Sequence, residues 1–206
     1  VVEVNTDGFT VLIKKTQLER YHDVANNLAK RFDLVLEHEQ YKSIRYKSVN
    51  SYLAIYENGG TKKKGEFVTH PNLEDGWDEL VIPKVVEMYY TKGIPIRMIL
   101  NDPYKYGLHI YDFCLSKKIS KNYQVWWNNL KQQNLNRFYV SKKGAYLYKQ
   151  KGTKSKMENV LKGFPIMLYN KHEEKPFNEY NVYLPYYIQK IEKMINVFDN
   201  NQTTLF

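Results

Sequence analysis

Residues 46–56 read Tyr-Lys-Ser-Val-Asn-Ser-Tyr-Leu-Ala-Ile-Tyr, a run of aromatic and β-branched side chains that predicts a strand. Glu57-Asn58-Gly59-Gly60 follows with turn chemistry, and residues 62–68 return as Lys-Lys-Lys-Gly-Glu-Phe-Val. Strand, glycine turn and strand make an antiparallel pair, so the early chain is committed to antiparallel sheet. The lysines of the return strand have two readings. Lysine on an edge blocks edge-to-edge pairing; it equally neutralises the phosphates of a bound polyanion.

A shorter hairpin is expected at the start. Residues 1–4 and 9–13 are rich in β-branched residues and flank Asn5-Thr6-Asp7-Gly8. The turn is either plain turn chemistry or a rigid mount for one carboxylate, Asp7. The chain opens with Val1 inside this strand, and the expectation is that it is the C-terminal part of something longer. Thr16 and Glu19 have capping-box spacing, and Leu18, Tyr21, Ala25, Leu28 and Phe32 recur at helical spacing. A helix packed on the sheet is expected, with residues 34–36 returning as a strand. His22 and His38 stand isolated and are expected to be solvated or core residues, not ligands.

Near residue 70 the composition turns loop-like, and a boundary between 72 and 73 is expected. Pro83 fits the first turn of a helix that Gly93 ends. Residues 110–115 read as a further apolar helical piece, and Leu184, Ile188, Ile191, Ile195 and Phe198 lie on one face of a last helix, with Pro185 near its start. Residues 136–140 and 145–149 read as a hairpin turning at Gly144, followed by an exposed loop over 151–156. Trp126 and Trp127 are either core or stack on a partner.

Charge narrows the partner. Thirty-one Lys and Arg against 22 Asp and Glu leave a net +9, and residues 117–162 hold twelve Lys and Arg against Glu158 alone, a local +11. A polyanionic partner is expected, with Arg137, Lys142 and Lys143 the best candidates to grip its backbone; a merely solvated basic hairpin is the other reading. The 19 tyrosines suit nucleic acid and equally a tyrosine-rich core. Cys114, the single cysteine, excludes an internal disulfide and fits a reducing compartment. Residues 1–206 carry no signal-peptide pattern, and none of their apolar runs is long enough to be expected to span a membrane. Nor is there a glycine-rich phosphate loop, a Cys/His zinc spacing or a Ser/His/Asp arrangement.

In order along the chain, three of these stretches resemble the C-terminal part of family B DNA polymerases of bacteriophage type. Asn5-Thr6-Asp7-Gly8 resembles the Asp-Thr-Asp-Ser palm motif, with Asn5 and Gly8 departing from it and Asp7 on the essential second carboxylate. Tyr52 matches the tyrosine of a Lys-x-Tyr strand whose lysine is here Asn50, and Lys62, Lys64 and Gly65 match the Lys-x-Lys-Gly strand after it. Residues 82–95 resemble the start of the thumb. The fold this implies is α+β: an antiparallel palm-type sheet with a packed helix, then a mainly helical thumb with a small β-hairpin element. The division implied is palm over 1–72, thumb over 73–198 and a tail over 199–206.

The resemblance further implies a DNA-directed DNA polymerase in which Asp7 is catalytic and binds Mg²⁺. The two-metal site would be completed by an Asp in an upstream portion that also carries the nucleotide-binding Lys, fingers and exonuclease. Primer–template DNA and dNTP are the expected partners, with Tyr52, Lys62, Lys64, Gly65, Arg137, Lys142 and Lys143 on DNA. Gln202, Leu205 and Phe206 resemble a bacterial-type clamp-binding peptide, which implies a sliding clamp; a frayed terminus is the other reading of that tail. The location expected is cytoplasmic, in a host cell if viral. Two other readings stay open: a non-catalytic nucleic-acid-binding module, and a subunit of a split polymerase. A reverse-transcriptase-like palm expects two adjacent Asp, which this turn lacks.

Overall fold

The computed structural model describes residues 3–4, 8–71, 77–152 and 155–200. The chain is α+β, and every strand pairing among the described residues is antiparallel. It divides into two compact units, Val1–Gly65 and Glu66–Phe206.

In the first unit, β1 (Glu3–Val4) pairs antiparallel with β2 (Phe9–Thr10), Val4 opposite Phe9, so the expected pairing is present over two residues a side, while residues 11–13, expected to extend the second strand, are not strand. Residues 5–7, with Asp7, lie outside the described residues. Helix α1 (Leu18–Arg31) starts from a 3-10 turn at Lys15–Gln17, and its N-cap Gln17 makes no side-chain capping bond, so the expected capping box is absent. The buried face follows expectation only over the first half of the helix. Leu18 and Tyr21 are half-buried and Ala25 is buried, but Ala29 is buried in place of Leu28, which is 51% exposed, and Phe32 is 63% exposed. One residue of helix rotates the side chain by about 100°, so choosing the alanine line turns Leu28 outward.

Residues 34–36 are not a strand, and Val35 is 95% exposed. The backbone explains why. Leu34 N donates to Ala29 O at 2.9 Å and Asp33, at φ 54°, donates to Lys30 O, a Schellman closure that uses the amide a strand would need. His22 and His38 are not isolated either: their rings meet edge to face at 4.5 Å, and Tyr21 lies 5.8 Å from His38.

The main sheet of this unit is a meander of β3 (Tyr41–Ser48), β4 (Ser51–Tyr56) and β5 (Thr61–Lys64) in the order β3-β4-β5. The single strand expected over 46–56 is therefore two, folded back at Val49 and Asn50. The return strand stops at Lys64, because Gly65 at φ 62° opens a 3-10 turn, Gly65–Phe67. Leu53, Ala54 and Ile55 of β4 are buried.

The second unit begins with α2 (Val81–Lys92), which has Pro83 in its first turn and ends at Gly93 with φ 65°, as expected. α3 (Ile96–Asn101) follows, and the expected helical piece near 110 is one 3-10 turn, Ile110–Phe113. Among the described residues seven strands come next: β6 (Leu115–Lys118), β7 (Tyr123–Trp127), β8 (Leu130–Gln132), β9 (Leu135–Ala145), β10 (Leu147–Lys151), β11 (Glu158–Asn159) and β12 (Ile166–Leu168). They form two sheets, β11-β10-β7-β8 and β12-β9-β6. This corrects the expectation of a mainly helical second region.

The correction starts at Gly144. The expected hairpin turning there does not exist: β9 runs through it, pairing with β6 and β12, while β10 pairs with β7 and β11. Leu115, Val125, Phe138, Leu147 and Ile166 form the core these sheets share. Trp127 packs against that core and donates its Nε1–H to Ile166 O at 3.0 Å.

Helix α4 (Leu184–Asn200) closes the unit. Ile191, Ile195 and Phe198 are buried as expected, and the Phe198 ring packs against that of Phe67, tilted by 36° with centroids 4.4 Å apart. Tyr187, absent from the expected stripe, is fully buried; its hydroxyl donates to Phe113 O at 2.7 Å and accepts from Val140 N at 3.0 Å. Two ion pairs tie the helices in: Lys84 to Asp112 at 2.7 Å, and Lys190 to Glu79 at 2.5 Å. No helix among the described residues is long and apolar enough to cross a membrane.

Candidate nucleic-acid interface

The register of the meander assembles the candidate residues of the first unit. Tyr52 lies opposite Lys64 and Ala54 opposite Lys62; on the other side, Tyr46 lies opposite Tyr52. Side chains two apart on a strand share a face, so Tyr46, Tyr52, Lys62 and Lys64 stand on one side of the sheet. The Tyr46 and Tyr52 rings touch with centroids 5.6 Å apart, and the Tyr46 hydroxyl lies 3.1 Å from Thr10 Oγ1 of β2. One face thus runs from the first hairpin through two tyrosines to a lysine strand.

Gly65 has a structural reason to be glycine. A Cβ there would stand 2.3 Å from Asn50 O, on top of the positive φ. It lets the end of β5 lie against the tight turn before β4.

The two lysines differ in environment. Lys62 Nζ bonds Glu39 at 2.6 Å, and the same carboxylate accepts from the Tyr56 hydroxyl at 2.9 Å and from the Tyr41 hydroxyl. Lys64 is exposed and makes no ion pair with a described residue. Lys64 is therefore the freer ammonium group of the two. The Lys62 bond, then the Tyr41 bond, hold the Glu39 carboxyl at about 2, below its ordinary 4.5. Desolvation, then the Glu39 bond, push the Tyr41 phenol up.

A test follows from the sign of that shift. A depressed folded value means that ionised Glu39 contributes stability above pH 4.5, and that this is lost as pH falls through about 2. The pair is about two-fifths exposed, so its contribution is small and screened by salt. In an NMR titration, the Glu39 carboxyl carbon is expected to turn near pH 2, and Lys62→Met to move that midpoint up. A wild-type midpoint near 4.5 contradicts the cluster.

The second unit does not gather its three candidates. Arg137, Lys142 and Lys143 are all exposed on β9. Lys142 and Lys143 are successive and point to opposite faces. Arg137 and Lys143 share a parity six residues apart, which a strand spreads over about 20 Å. Arg137 instead sits over the Tyr111 ring at 5.4 Å, and that ring stacks on His172. Asp7, Gln202, Leu205 and Phe206 lie outside the described residues. Among the described residues, no three His, Cys, Asp or Glu side chains stand together as a metal site would need.

No family model, curated protein or solved structure matches the chain. What the face offers is set by its own groups: lysine ammonium ions, which can pair with an anion, and tyrosine rings, which can stack on flat groups. Tyr46 and Glu39 are members that the sequence reading missed. The signal for Tyr46 was Asn50, a turn residue between two alternating runs, which splits residues 46–56 and sets Tyr46 against Tyr52. Glu39 lies in coil two residues before β3 and carries no local signal.

Proposed function

We propose that the chain is the C-terminal palm and thumb portion of a family B DNA polymerase of bacteriophage type, serving template-directed nucleotidyl transfer to a primer 3′-hydroxyl. The observation that carries this reading is the pairing of Tyr52 with Lys64 on a sheet face that Tyr46 links to Thr10 of the first hairpin. The motif residues of the resemblance are scattered over some sixty positions, and the register supports their acting together. In this reading Lys64, with Lys62 beside it, neutralises primer–template phosphates while Tyr52 packs on the backbone, a mode of contact without base readout.

Asp7 would share Mg²⁺ with a carboxylate of the upstream portion, and the ions would lower the hydroxyl's pKa and stabilise pyrophosphate as it leaves. The dNTP and the remaining palm come with that portion. Gln202, Leu205 and Phe206 would engage a sliding clamp, and the setting is the cytoplasm of a host cell. A non-catalytic nucleic-acid-binding module or a split-polymerase subunit is the second reading.

Primer extension decides among these. The chain, combined with its upstream portion and Mg²⁺, is expected to extend a recessed primer, and Asp7→Asn to abolish extension with little change in primer–template affinity. The chain alone is expected not to extend. Extension by Asp7→Asn at the wild-type rate overturns the catalytic reading and leaves the binding module.

A further inference from the structure

The sheet β11-β10-β7-β8 has a second face that the core does not use. Val125, Trp127 and Leu147 belong to the core side. Trp126 and Tyr148 alternate to the other side, where they are cross-strand partners. With Tyr146 and Met157 they line an open groove of about 400 Å³ beside the Asn128-Asn129 turn. Tyr146 is 40% and Met157 45% exposed, so apolar and aromatic surface is presented to solvent.

The row across this face reads Lys131, Trp126, Tyr148, Asn159 from β8 to β11. Gln124 and Gln150 form the next row. No strand residue on this face carries a carboxylate; Glu158, one position from Asn159, has the opposite parity and pairs with Lys149 at 3.1 Å. Lys156 is exposed next to Met157. Aromatic rings, amides and lysines without opposing acid form a surface complementary to a polyanion that offers flat apolar groups.

We propose that this face binds single-stranded DNA, with unpaired bases stacking on Tyr146, Tyr148 and Trp126 and phosphates meeting Lys131 and Lys156. The Tyr146 and Tyr148 rings are 6.2 Å apart and tilted by 52°, so they do not fill each other's faces. A duplex keeps its bases stacked on one another and has none to offer such rings; a single strand has. A protein partner with an acidic rim would use the lysines but not require a row of stacking rings. The choice of DNA over RNA rests on the polymerase reading above; the stacking site itself does not.

The test uses the full chain and fluorescein-labelled oligothymidylate, read by anisotropy. Tyr146→Ala and Tyr148→Ala are each expected to weaken single-strand binding roughly tenfold, Tyr148→Phe to retain it, and Lys131→Ala to reduce the slope of affinity against salt. Binding of a blunt duplex of equal length is expected to be unchanged by Tyr146→Ala. The proposal is overturned if Tyr146→Ala and Tyr148→Ala bind the oligonucleotide as wild type does, or if duplex affinity falls equally. It is also overturned if wild type binds none, or if oligouridylate binds more tightly. Asp7→Asn is expected to leave this affinity unaltered, so the stacking site and the catalytic reading can fail separately.

Discussion

Gly144→Ala is expected to destabilise the second unit by on the order of 3 kcal/mol or more, enough to leave much of it unfolded. Gly144 lies within β9, the middle strand of its sheet, with an ordinary extended backbone. An added Cβ would stand 2.2 Å from Ile166 O, 2.4 Å from its carbonyl carbon and 2.9 Å from its nitrogen. These are backbone atoms, so no rotamer change relieves the contact. Nor can the β12 backbone retreat freely, because Ile166 is fully buried in the core and paired with Val140. Gly152→Ala is the control: its φ of 63° disfavours a side chain, but nothing lies within 4 Å, so about 1 kcal/mol is expected. All three tryptophans, Trp77, Trp126 and Trp127, belong to the second unit, so urea unfolding followed by tryptophan fluorescence reads it directly. A Gly144→Ala cost no larger than that of Gly152→Ala contradicts the close approach of the two strands.

Tyr187→Phe is expected to cost about 2 kcal/mol or more, although it removes a single oxygen atom. That oxygen sits where α4, β9 and the 3-10 turn at residue 113 meet. It donates to Phe113 O and accepts from Val140 N, both in buried surroundings. Phenylalanine would fill the same space and leave a buried N–H and a buried C=O without this partner, and an unsatisfied buried group costs its full desolvation. Burial pushes the Tyr187 phenol well above its usual range, so the hydroxyl stays protonated and the loss is the same from weakly acidic to weakly basic pH. Tyr104→Phe, which removes an exposed bond to Lys175 O, is expected to change stability by less than about 0.5 kcal/mol. Equal effects of the two substitutions would remove the bridging role from Tyr187.

The candidate face of the first unit shows how far local pattern carries. Tyr52, Lys62, Lys64 and Gly65 stand as candidates through the family resemblance, whereas the turn at residues 57–60 that pairs β4 with β5 is legible from its two glycines. Tyr46 was read as the start of the same strand as Tyr52. A two-residue turn at Val49 and Asn50 leaves little trace in a run that keeps its β-forming composition on both sides. Glu39 joins the site only through the side chains of Tyr41, Tyr56 and Lys62, which come from three strands. In the second unit, Arg137, Lys142 and Lys143 looked alike as charges. Strand parity separates them, and parity is unknown until the strand's limits are.

Elements whose signals sit within one or two turns of chain were readable in advance. Pro83 and Gly93 marked α2 because one ring fixes φ and one missing Cβ allows a left-handed end. The stripe of α4 showed because helical periodicity repeats within the helix itself. Pairing between distant segments was decided only by the tertiary structure. Gly144 looks like a turn residue, since glycine serves both to reverse a chain and to let two backbones touch; the choice depends on Ile166, more than twenty positions away. The same holds for the second half of α1, where Ala29 is buried rather than the larger Leu28 and Phe32. Short-range signals suffice to name elements such as α2 and α4, while packing partners determine which face of an element is inside and where a chain that could turn runs on.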